Sequence, residues 1–310
     1  MVDYGLPVLY ALFVWWFSTG LILYLDGLPA RTFRWSMLGA TALLGAALYG
    51  LAQSSAEPTV GGAYTAFTCA LLIWGWHEIS FLMGFVTGPR RTPCAPGCRG
   101  SRHLVHAIQA ILHHELAILA TAVLVAALTW GGANQVGTWT FLLLWGMRIS
   151  AKLNVFLGVP NLTEEFLPAH LHYLRSYLAK KPMNLLFPLS VTAATVIAAE
   201  LVQHALAPDA DAFEVAGYTF LGALMALAIL EHWFLVLPLP DAALWSWALR
   251  SRERQRLTVD TATGPSGPRE PAPAGFTTAW RARPRGIRPS PRHAHDLARR
   301  PALSNTRRGP

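Results

Sequence analysis

The chain has 310 residues, of which 53% are hydrophobic and only 14% charged; soluble domains run near a quarter charged, so this composition excludes an ordinary soluble globular protein and points to a membrane protein. The formal charge of +8 belongs to the C-terminal part, because residues 251–310 hold 13 Arg and four acids while residues 1–250 hold 12 basic and 13 acidic residues. Three Cys, at 69, 94 and 98, are an odd number without a secretory context, so no disulfide framework is indicated.

Seven apolar stretches follow in order, at about 6–25, 35–54, 63–87, 104–129, 138–158, 185–206 and 213–237. Each reaches or nears the roughly 20 residues that cross about 30 Å of hydrocarbon. Only helices satisfy every backbone group within one segment in lipid, so the expected fold is all-α, a seven-helix transmembrane bundle. The first stretch lacks a basic n-region and a small-residue cleavage site, and is expected to stay as a helix.

The loops set the expected orientation. Loops 26–34, 88–103 and 159–184 carry Arg31, Arg34, Arg90, Arg91, Arg99, Arg102, Arg175, Lys180 and Lys181. The alternate set holds no Lys or Arg, only Asp3, Glu57, Asp209 and Asp211. Seven spans with the N-terminus outside and the C-terminus inside put every basic loop on the cytoplasmic side.

Two connecting segments carry their own pattern. In 159–184, Asn161 and Glu164 resemble a capping box, and Leu167, Leu171, Leu174 and Leu178 recur at helical spacing. This predicts an amphipathic cytoplasmic helix at the interface, either a connector or a lid presenting Glu164, Glu165, His170 or His172. Residues 241–249 predict a second interfacial helix with Trp245 and Trp247 at headgroup level. Residues 1–250 thus form the bundle. Residues 251–310, with nine Pro and little aliphatic periodicity, predict a disordered Arg/Pro-rich cytoplasmic tail attracted to the lipid bilayer. No aromatic interleaving accompanies that tail, so nucleic acid is not an expected partner.

The chemistry lies in ionisable residues inside the apolar stretches. His77 and Glu78 sit in the third, His113, His114 and Glu115 in the fourth, Arg148 and Lys152 in the fifth, and Glu231 and His232 in the seventh. Such residues are costly in lipid and mark function by default. With about 1.5 Å of rise per residue, all fall within roughly one turn of a common depth in the cytoplasmic half. Arg148 and Lys152, four apart, share a face and countercharge the three Glu.

Three readings of this cluster stay open. It is a register-fixing polar network, a proton or anion path, or a cofactor site holding a metal ion or a chlorin pigment. His77, Glu78, His114, Glu115, Glu231 and His232 are suitable metal ligands by type. His and Glu are adjacent here, whereas di-iron bundles use Glu-x-x-His, so the spacing opposes a standard di-iron site. Cys94 and Cys98, with His103 and His106 nearby, are read as free thiols in a Pro/Gly turn because C-x₃-C is a loose zinc spacing.

Residues Phe13–Ala30, Trp74–Leu82 (WGWHEISFL), His114–Ile118 (HELAI), Met147–Ala169 and Leu230–Trp247 (LEHWFLVLPLPDAALWSW) together resemble the photosynthetic complex assembly protein 2 (PuhE) family of purple phototrophic bacteria. That resemblance covers residues 1–250 and leaves 251–310 as an extension. It implies an integral membrane factor that assembles the photosynthetic complex with reaction-centre components as partners, and it implies no catalytic residues. The rival expectation is a membrane metalloenzyme acting on a pigment or quinone.

Overall fold

A computed structural model describes residues 2–162, 166–238 and 241–250. The expected tail, and the expected roles of Glu164 and Glu165, lie outside these residues. The seven apolar stretches coincide with seven long helices among the described residues: α1 Val2–Asp26, α2 Phe33–Ser54, α3 Val60–Leu82, α4 Gly100–Leu128, α5 Val136–Leu157, α6 Leu186–Ala205 and α7 Ala212–Phe234. Six of them, all but α3, are long and apolar enough to cross a membrane, so the chain is a multi-pass membrane protein. Trp74, Trp76, His77 and Glu78 dilute the apolar character of α3.

Short polar side chains set the starts of α3, α6 and α7. Thr59 accepts from Gly62 N at 3.0 Å to start α3. Asp211 and Glu214 form a reciprocal capping box on α7. Asn184 accepts from Leu186 N and Phe187 N at the start of α6 and donates back to the carbonyls of Asn154 and Gly158 at the end of α5. α3 closes in a Schellman motif, with Gly84 at φ 79°, Gly84 N on Phe81 O and Phe85 N on Ser80 O.

The core forms where α3 packs against α1, α2, α4, α5 and α7. Phe67 of α3 stacks on Phe220 of α7 at 4.5 Å, and Tyr64 meets the same ring edge-on at 4.7 Å. Small residues bring the backbones close. A Cβ on Gly137 of α5 would lie 2.9 Å from the Ala66 carbonyl oxygen of α3.

A second, smaller core lies beyond the end of α3. Phe81, Ala110, Leu171, Leu174 and Tyr177 are buried together. Leu171, Leu174 and Tyr177 belong to a 3₁₀ helix, Ala169–Tyr177. This corrects the expected amphipathic α-helix: a 3₁₀ helix eclipses residues three apart, so the buried stripe is 171–174–177 rather than 167–171–174–178. That stripe docks on α4 and Phe81 rather than lying free as an interfacial surface. His170 donates from Nε2 to Leu82 O at 2.8 Å, and Asn161 donates to Phe234 O at 3.0 Å.

The segment after α7 packs back on α1, and Trp245 is buried there. Its Nε1 donates to Trp16 O at 3.0 Å, and its ring meets Trp15 edge-on at 5.3 Å. Trp247 covers Gly20 of α1, where a Cβ would fall 2.2 Å from the indole. The obstacle is one side chain that can swing away, so Gly20→Ala is expected to loosen residues 241–250 from α1 at a cost of about 1 kcal/mol. Faster hydrogen exchange at 244–249, with α3 unchanged, is the readout.

Candidate functional site

The expected cluster resolves into pairs. α3 and α5 place Glu78 against Arg148, Oε2 to Nη2 at 3.3 Å. One helical turn further along α5, Lys152 reaches Glu115 of α4 in an ion pair with both side chains about three-quarters covered. α7 directs Glu231 toward α1, where Trp15 Nε1 donates to its Oε1 at 2.8 Å. Glu78, Arg148, Glu231 and Trp15 line one cavity of about 200 Å³ together with Ser18, Thr19 and Gly75.

His232 is satisfied by protein on both nitrogens. Nδ1 faces Ala228 O at 2.8 Å and Nε2 faces Ser150 Oγ at 2.9 Å. A carbonyl only accepts, so the proton sits on Nδ1 and Ser150 donates to Nε2. Ligation of a metal by His232 would first have to displace that hydroxyl.

His77 and His114 are each only 1% exposed. Their rings face one another at 6.3 Å, within a wall of Trp74, Trp76, Phe81 and Phe141. Neither nitrogen of His77 has a hydrogen-bond partner, nor has Nδ1 of His114. Buried polar groups without partners are uncommon, and each asks for an explanation. His113 is exposed, about 100° around α4 from His114, and joins none of these groups.

The loop after α3 also enters the site. Thr87 O accepts from His114 N at 2.8 Å, and Arg90 N donates to Gln109 O at 3.4 Å. The loop backbone is thus bonded into the middle of α4, where it helps set the position of His114 and Glu115. Nothing in the spacing of loop residues signals this insertion. Trp15 and Ser150 were missed too; in the sequence they look like a belt Trp and a tolerated helix Ser.

The cavity is smaller than the roughly 300–1,000 Å³ of sites that enclose a drug-sized ligand. It suits a small polar group, a few waters or one inserted side chain. A bacteriochlorophyll would have to sit on the surface of the bundle or part the helices. The larger groove, about 540 Å³, is apolar, lies between α1, α6 and α7, and shares no residue with the polar cavity except Leu227.

A family model described as a protein of unknown function, DUF3623, matches residues 1–256. A Rhodobacter capsulatus protein described as an uncharacterized 30.4 kDa protein in the puhA 5′ region is 41% identical over 260 residues, covering 82% of this chain and 94% of that protein. No solved structure matches.

Proposed function

We propose that this chain, which belongs to the DUF3623 family, is a membrane factor for assembly of the bacterial photosynthetic reaction-centre complex. The supporting observation is the relative in the puhA 5′ region, 41% identical along nearly its whole length. The resemblance to PuhE points the same way. In this reading all seven long helices span the inner membrane, α3 being carried by the spanning helices around it. The basic loops and the C-terminus then lie in the cytoplasm.

The polar cavity gives the reading a place to act. Arg148 is 42% exposed although paired with Glu78, and a guanidinium with donors to spare on a bundle flank is costly in lipid until something covers it. A polar group on a partner helix of the reaction-centre complex, or a pigment carbonyl, would satisfy it. Deleting the gene from its native host is expected to lower reaction-centre absorbance per membrane protein. Wild-type chain and a chain ending at residue 250 should restore it, and Arg148→Leu should restore it only in part. Unchanged absorbance after deletion would end the proposal.

The unpartnered imidazoles of His77 and His114 favour one second reading, a membrane metalloenzyme acting on a pigment or quinone. Against it, Glu78 and Glu115 are each already held by a cation. Stoichiometric metal that disappears in both Glu78→Ala and Glu115→Ala would favour the enzyme.

A further inference from the structure

The loop from Met83 to Arg99 runs back along the first turns of α4. Thr87 lies against His114, Arg90 against Gln109, and Cys94 against His103 and His106. It is held there by the small core and by polar bonds to the 3₁₀ helix: Cys94 N donates to Ser176 Oγ at 2.8 Å, and Arg90 Nε donates to the Tyr177 hydroxyl at 2.7 Å. Gly97, at φ 79°, turns the chain between the two cysteines. Both thiols then face one ring nitrogen. Cys94 Sγ is 3.5 Å and Cys98 Sγ 3.4 Å from His106 Nδ1, and all three atoms lie within 4.8 Å of one another.

We infer that Cys94, Cys98 and His106 form a zinc site that staples this loop to α4, with His103 placed to complete it. Zinc–sulfur bonds of about 2.3 Å and zinc–nitrogen bonds of about 2.0–2.1 Å at tetrahedral angles put sulfur and nitrogen about 3.5 Å apart, the separation found here. His103 lies one helical turn before His106, with Nδ1 3.3 Å from Cys94 Sγ. Its ring rests over Phe156 at 5.5 Å, so joining the other three requires it to move off that ring. A mixed thiolate and imidazole set of borderline softness selects zinc over magnesium or calcium. The cysteines are free thiols in the structure. The assignment uses none of the residues of the polar cavity, so it stands or falls apart from the assembly reading.

The test is metal analysis of the full-length protein, purified in detergent from zinc-replete cells. One zinc per chain is expected, lost in the Cys94→Ser/Cys98→Ser double variant and retained in Glu78→Ala. His103→Ala should weaken zinc affinity about tenfold or more. Should the double variant fail to fold, cobalt exchanged into the wild-type protein is expected to show thiolate charge-transfer absorption and tetrahedral ligand-field bands. Trace zinc in the wild type, absence of those cobalt bands, zinc retained by the folded double variant, or a Cys94–Cys98 disulfide in the purified protein would each overturn the assignment. Unchanged affinity in His103→Ala would remove that residue from the site.

Discussion

Glu115→Ala is expected to destabilise the protein by about 3 kcal/mol, the range seen when one partner of a buried ion pair is removed. Lys152 is only 22% exposed at its side chain, and Glu115 is its only ion-pair partner among the described residues. Truncation leaves the ammonium inside the bundle with an unmet charge. The loss comes from that orphaned charge, so a variant that removes both charges should suffer less than either single change. Glu115→Gln/Lys152→Met is therefore expected to melt above both Glu115→Ala and Lys152→Ala in detergent. Glu78→Ala should cost less, about 1 kcal/mol, because Arg148 can turn toward water or headgroups. A Glu115→Ala protein that melts with the wild type would show that Lys152 has a second route to solvation.

The helices were legible because lipid imposes one rule on the six that meet it, an apolar run long enough to cross. α3 falls short of that rule, yet its apolar run stays helical through His77 and Glu78. The residue types of the cluster were legible for the same reason, since charge stands out against hydrocarbon. Its wiring was not. Glu78 with Arg148, Glu115 with Lys152 and Glu231 with Trp15 depend on the rotation of each helix about its axis, which small contacts such as Gly137 against Ala66 decide. His113 and His114 illustrate this: neighbours in sequence, they stand about 100° apart, and only His114 is buried. The Cys/His group was hidden differently. Its spacing is loose, and its convergence is produced by a loop path that the small core dictates. The 3₁₀ helix was misread because leucines spaced four, three and four residues apart fit an α-helix, whereas packing on α4 selects the three-residue stripe 171–174–177.

Among the described glycines, Gly88→Ala is expected to be the most damaging added methyl group. A Cβ there would stand 2.1 Å from Gln109 O, 2.5 Å from Ala110 C and 2.6 Å from Ala110 O, all backbone atoms of α4 that cannot swing aside. Relief requires lifting the loop. That breaks the bonds of Thr87 O to His114 N and of Arg90 N to Gln109 O, and it opens the small core around Ala110. Overpacking of this kind costs about 1–3 kcal/mol, and each lost hydrogen bond adds about 1 kcal/mol, so a total of about 3 kcal/mol or more is expected. Gly39→Ala on α2 is the control, because nothing lies within 4 Å of a Cβ there; it should leave stability unchanged or raise it slightly. Hydrogen exchange gives the sharper readout. The amides of His114, Arg90 and the 3₁₀ helix should lose protection together in Gly88→Ala, while those of α6 and α7 keep theirs. Protection at His114 that survives the substitution would mean that α4 holds this amide by itself and that the loop is a passenger.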